Sequence, residues 1–132
     1  MTYAIRYSKD GGIYTTYSGV VTDEDFYNSV NERYGAERSI ANYRYLFTDF
    51  SDVAELKISS NAAIEGAKRA DIASNNNHDI IMVVVVPSDL EYGMARMWQA
   101  YFGDDTGWKV SLFRNEEQAH QWLDKTINNQ EH

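Results

Sequence analysis

Short β-prone runs alternate with amphipathic stretches from one end of the chain to the other. Tyr3–Tyr7 and 13–21 are rich in Tyr, Thr and Val and flank Asp10-Gly11-Gly12. Two such runs around a glycine-containing turn predict a hairpin. Thr22 then opens a helix. Asp23 and Glu24 fall in its first turn, Asp25 is a capping-box partner, and Phe26, Val30 and Tyr34 recur at helical spacing until Gly35. Residues 36–42 read equally as a ragged helix end or a loop. Tyr43 to Phe50 reads as a strand, with Asp49 to Asp52 as the turn that leaves it. Ser59 or Ser60 caps an Ala-rich helix whose stripe of Ala63, Ala67 and Ala70 lets it sit close to what it covers.

Asn75-Asn76-Asn77 ends that helix. Ile80 to Val86 is β-branched and apolar on both faces, the pattern of a central parallel strand. Ser88 with Glu91 forms a second capping box, starting a helix with Leu90, Met94, Met97 and Tyr101 on its core face and ending near Gly103. Trp108 to Phe113 alternates as a strand. Asn115 with Gln118 repeats the capping pattern before a last stripe of Ala119, Trp122, Leu123 and Ile127. The polar tail 128–132 reads as frayed. The order ββαβαβαβα predicts an α/β fold, a single domain over 1–132, with a mainly parallel sheet of about five strands and an antiparallel N-terminal hairpin.

Composition narrows the classes. At 132 residues with 43% hydrophobic and 14% aromatic content, the chain suits one folded domain and not a disordered segment. Having no Cys, it can form neither a disulfide framework nor a thiolate metal site, and has no cysteine nucleophile. The net charge of -8 argues against a phosphate-backbone binder or an anionic membrane surface. The longest apolar run, 80–86, is far short of the ~20 residues that span a bilayer, and no apolar leader precedes the hairpin. A cytoplasmic location is the expectation.

With that order in place, the segments YRYLFTDFSDV (43–53), ISSNAAIEGAKRA (58–70), IIMVVVVPSDLEYGMARMWQAYF (80–102) and VSLFRNEEQAHQWL (110–123) carry a likeness. The chain resembles the STAS-like group, small domains related to anti-sigma factor antagonists, and looks most like small bacterial proteins of that fold. The resemblance implies a regulatory, non-catalytic role through partner binding. In the antagonist branch a serine or threonine in an Asp-Ser-Ser-Gly turn is phosphorylated at a helix start. Here that turn falls on Ile58-Ser59-Ser60-Asn61, so Ser60 and Ser59 are the implied phosphorylation positions. One of these serines also serves as an ordinary N-cap.

The residues themselves leave several chemistries open. Ligands on open parallel sheets sit beyond the carboxyl ends of the strands, marked here by Asp49, Ser51, Ser88 and Arg114. Three helix N-termini, at Ser59/Ser60, Ser88 and Asn115, are expected at that rim. Trp98 and Phe102 exceed what one core stripe of their helix needs, and surplus Trp, Phe and Met concentrate at interfaces and pockets. Arg96 either orients a partner carboxylate or snorkels over the sheet. The Tyr-rich hairpin is a second interface candidate, and protecting its edge suggests a homodimer. No cofactor or metal spacing is evident: His78, His120 and His132 are scattered. The alternatives are therefore a protein-binding module, a carrier or sensor for a small apolar or amphipathic ligand, and an enzyme using Asp49 with Arg114 or Arg96.

Overall fold

The structure, a computed structural model, describes residues 2–35, 40–103 and 106–130. Its elements are β1 (Tyr3–Tyr7), β2 (Gly12–Thr22), α1 (Asp23–Tyr34), β3 (Tyr45–Lys57), α2 (Ser60–Ser74), β4 (Ile81–Val85), α3 (Asp89–Phe102), β5 (Lys109–Phe113) and α4 (Glu116–Gln130), with a 3-10 turn at Ile40–Asn42. Part of the ambiguous 36–42 stretch thus lies outside the described residues, as do the last two residues of the tail. The helix continues through Asn128 and Asn129 to Gln130.

The five strands lie side by side in chain order, β1-β2-β3-β4-β5. β1 and β2 pair antiparallel and the remaining pairs are parallel. Every crossover steps the same way across the sheet, so crossovers of one hand bring their helices to one face. Accordingly, residues of α1, α2 and α3 share apolar clusters with Ile13, Tyr17, Leu46, Met82 and Val84. Helix α4 follows the last strand and covers the opposite face, where Ala119 and Leu123 meet Phe47, Ile81, Val83 and Val85. β4 is buried along its whole length, as its β-branched run predicts. Each such fully buried aliphatic side chain stabilises by roughly 1.5–3 kcal/mol. The alanine stripe of α2 is buried too, and this helix is the middle one of the three.

Three expectations are corrected. Asp49–Asp52 is not a turn: β3 runs straight through it to Lys57 because β2 continues alongside to Thr22 and supplies hydrogen-bond partners. The surplus residues are absorbed by bulges. Thr16 pairs with Asp49 but Ser18 with Asp52, and Gly19 pairs with Val53 but Val20 with Glu55, so β3 carries an extra residue at each shift. Bulges bend and twist a ribbon, and Gly19 at the second takes φ 69°, which a side chain would resist.

The second correction concerns α3. Its buried side runs Glu91, Ala95, Trp98, Phe102, while Leu90 and Tyr101, expected in the core, are 62% and 58% exposed. The reason is the capping box. Glu91 folds back onto Ser88 and is itself buried, so the stripe contains an acid that hydrophobicity alone assigns to solvent.

The third concerns the hairpin tyrosines. Tyr17 is fully buried, stacked on Phe50 with centroids 4.7 Å apart, and Tyr3 and Tyr7 are half-buried against the helical layer. Tyr14 meets Tyr45 and Phe47 on the α4 face. They cover the two sheet faces.

Candidate ligand cavity

The bulged ribbon of β2 and β3 continues past the end of β4 and forms one wall of a gap between sheet and helices. A partly open cavity of about 60 Å³ lies there. Its floor is Tyr17, Thr48, Phe50, Met82, Val84 and Leu112 from the sheet. Leu56 and Ile58 close it from the ribbon end, and Phe26 of α1, Ala63 of α2 and Met94, Ala95 and Trp98 of α3 cover it. The walls are overwhelmingly apolar, with three polar side chains among them: Arg33, Thr48 and Glu91.

Arg33 occupies a position on the stripe of α1 that also carries Phe26 and Val30, so the helix turns it inward; it is 4% exposed. Its Nη1 donates to Thr15 Oγ1 at 3.3 Å and to the Tyr17 hydroxyl at 3.1 Å, and that hydroxyl is also hydrogen-bonded to Ser29. Among the described residues none of the ion pairs involves Arg33. Burial opposes its charge, and the surrounding Tyr17 and Tyr34 oxygens, which favour it, outweigh that, raising its pKa overall. Four buried side-chain polar atoms of the described residues lack a hydrogen-bond partner, and two of them, Arg33 Nε and Thr48 Oγ1, belong to cavity-lining residues. A third, the Tyr34 hydroxyl, interacts electrostatically with the guanidinium without forming a well-directed hydrogen bond. Burying such groups unpaired is costly.

Glu91 is committed to its cap. Its Oε1 accepts from Ser88 N at 3.1 Å and Ser88 Oγ at 2.7 Å.

The residues singled out in the sequence fall into separate groups. Met94 and Trp98 line the cavity; Phe102 is 3% exposed, stacked on Trp98 at 5.0 Å. Arg96 is exposed on α3. Ser88 caps α3, and Arg114 pairs with Asp89 at 3.0 Å, donates to the Pro87 carbonyl at 3.2 Å and lies over the Tyr92 ring at 4.3 Å. Those five residues build one corner of the rim. Asn115 caps α4 beside it.

Ser59, expected at the same rim, instead follows the far end of β3. It caps α2 through Ala62 N at 3.1 Å, and its own N–H and hydroxyl donate to the Asp23 carboxylate at 2.6 and 2.7 Å. Ser60 is exposed at the first position of α2.

Asp49 is 6% exposed and accepts from Ser51 N at 2.8 Å and from Ser51 Oγ at 2.5 Å. The hydrogen bond and charge it presents to Glu116, aided by slight burial and Asp52, push the Glu116 carboxyl up to about 7. Glu116 therefore holds its proton to near neutrality beside Asp49. His120 stacks on Phe47 nearby, at 4.4 Å.

Sequence reasoning missed Arg33, Thr48, Phe26, Phe50, Leu56 and Ile58. A signal existed for the first: a basic residue three positions after Val30 interrupts an apolar stripe. The ribbon residues carried none, because their role depends on the bulges. Among the described residues no cluster of His, Asp and Glu is disposed to hold a metal ion, and no helix is long and apolar enough to cross a membrane. Searches with protein-family models and against curated proteins find nothing that matches this chain.

Proposed function

We propose that this chain is a non-catalytic binding module that holds a small amphipathic molecule between α3 and the sheet. The observation carrying the reading is the cavity itself, apolar over most of its wall, with Arg33, Thr48 and Glu91 among the residues that border it. Ligand sites have this makeup: mostly apolar, with a few fixed polar groups that set orientation. The expected mode is sensing or carriage, since α3 contributes both to the cavity wall and, through Leu90, Arg96 and Tyr101, to the exposed surface. Native mass spectrometry of freshly purified protein tests it. A bound small mass, or a thermal shift with members of a metabolite panel, supports the reading, and a clean unbound spectrum with no shift overturns it.

A STAS-like partner-binding role is the second reading. The chain-order sheet with its helices mainly on one face is consistent with that group, and Ser60, exposed at the start of α2, is the accessible position for a phosphate. Ser59 is the less suitable of the two, because its hydroxyl is bonded to a carboxylate that would repel a phosphate. Incubation with bacterial lysate kinases that modify a control antagonist, followed by peptide mapping, decides it: no phosphate at Ser60 removes the switch. A cytoplasmic homodimer belongs to the same reading, and sedimentation at micromolar concentration showing only monomer would contradict the dimer.

A further inference from the structure

Resting on the partner-binding reading, we infer that the overhanging edge of β3 takes a basic, extended segment of a partner protein as an added strand, one aliphatic side chain of which fills the cavity. The edge comes first. β4 pairs with β3 only as far as Asp49, whereas β3 runs on to Lys57 with β2 along its other side. From Phe50 to Lys57, one side of the strand therefore has no neighbouring strand among the described residues, and within them this stretch makes no backbone hydrogen bond to a loop or helix. The Ser51 N–H turns to the Asp49 side chain instead. Ser51, Asp52, Ala54, Glu55 and Lys57 are exposed. An edge of this kind is a template for a further strand, whose main chain supplies the hydrogen bonds.

The cavity lies on the same stretch. Phe50 and Leu56 of the overhang border it, as do Met82 and Val84 of β4, whose row an added strand continues. Alternate side chains of such a strand point to the helical face, and there the gap under Met94 and Trp98 receives one of them. Size sets its identity. A water needs about 10–15 Å³ of cavity volume, so about 60 Å³ holds on the order of four heavy atoms, the side chain of a leucine or isoleucine. An aromatic side chain is too large. Charge sets the rest. Along the overhang Asp52 and Glu55 outnumber Lys57, and the whole chain carries -8. Two copies of this edge therefore repel one another, and a strand with lysine or arginine at its solvent-facing positions is favoured. The gap that the first reading gives to a free molecule is then filled by a side chain of the partner.

The test is titration of the full chain with the synthetic peptide acetyl-Lys-Thr-Lys-Leu-Lys-Thr-Lys-amide, with amide hydrogen exchange measured in the free and bound states. Exchange within 50–57 is expected to slow on binding. Peptides with Gly or Trp in place of the Leu, or Glu in place of every Lys, are expected to bind at least about tenfold more weakly. Ala95→Leu, which fills the gap from α3, should lower the affinity of the leucine peptide to that of the glycine peptide. Glu55→Lys, on the exposed edge, should weaken binding too, and it carries the test should circular dichroism show Ala95→Leu misfolded. Equal binding of the leucine and glycine peptides, or protection confined to other elements, overturns the inference while leaving a partner-binding role in place. Binding of none of the peptides at millimolar concentration overturns it also, and phosphate mapping at Ser60 reports on the partner-binding reading independently.

Discussion

Gly66, in the middle of α2, offers a way to fill the cavity from behind. A Cβ placed there comes within 2.7 and 2.8 Å of Phe26 Cε2 and Cζ and 3.6 Å of Trp98 Nε1. Ordinary carbon contacts are 3.5–4.0 Å, so in Gly66→Ala the Phe26 ring must retreat by about 1 Å. Overpacking a closed core costs about 1–3 kcal/mol. Here the atoms struck are the far end of a side chain that borders a void, and alanine in a helix interior gains about 0.8–1 kcal/mol over glycine. The net destabilisation is therefore expected to stay below about 1 kcal/mol.

Gly12→Ala is the control. Its Cβ would lie 2.3 Å from Tyr45 Cε2 and Cζ. That ring is 2% exposed, and its hydroxyl is bonded to Asp10 at 2.7 Å and to Tyr14 at 3.1 Å. It has nowhere to go without breaking those bonds, so a loss of about 3 kcal/mol is expected. Urea unfolding of both variants measures the pair. If Gly66→Ala costs as much as Gly12→Ala, Phe26 has no void to enter and the cavity argument fails.

Other outcomes follow from the same structure. Arg33→Met should leave the unliganded protein within about 1 kcal/mol of its original stability in urea, because the substitution removes a buried charge that has no acidic partner; a loss above about 3 kcal/mol would mean the charge is paired. The Glu116 carboxyl, raised to about 7 in the fold against its ordinary 4.5, favours the folded state when protonated. Its contribution is full below about 4.5 and fades as pH rises through about 7, attenuated because the residue is exposed. Glu116→Gln should therefore flatten the decline in stability across that window. Asp10 acts with the opposite sign. Hydrogen bonds from Ser8 and Tyr45 hold its carboxyl below the usual range, so its contribution is lost as pH falls through that lowered pKa, and the acid limb should persist in Glu116→Gln. Ser59→Ala should cost about 1 kcal/mol as a lost cap, while Ser60→Ala should stay within about 0.5 kcal/mol, both read from urea midpoints.

What could be read from the residues was whatever local chemistry decides. The capping boxes at Thr22–Asp25 and Ser88–Glu91 form as their spacing predicts, and the alanine stripe of α2 and the apolar run of β4 are buried. Most of the misreadings depended on a neighbour distant in sequence. Asp49–Asp52 has turn chemistry, and Asp49 does bond Ser51, but β2 alongside keeps the backbone extended. The α3 stripe was misplaced because a glutamate can be buried when its own helix N-terminus satisfies it. Of the surplus pair Trp98 and Phe102, Trp98 lines a cavity, whereas Phe102 went into the core. Arg33 escaped notice because a cation in a helix reads as surface until the opposing strand, with Thr15 and Tyr17, is in position.

The chain-order sheet has a kinetic side. Each new strand is laid beside the one just made, so every crossover closes a loop of one helix and its flanking turns and none spans the whole chain. Loop closure is the entropic barrier that slows parallel sheets, and keeping each closure short lowers it at every step. Growth can then follow synthesis from the hairpin outward. β4, buried on both faces, acquires its second neighbour only with β5 and its outer cover only with α4. Truncation before Glu116 should therefore yield a chain that assembles its three-helix face yet leaves Phe47, Val83 and Val85 bare, and aggregates for that reason.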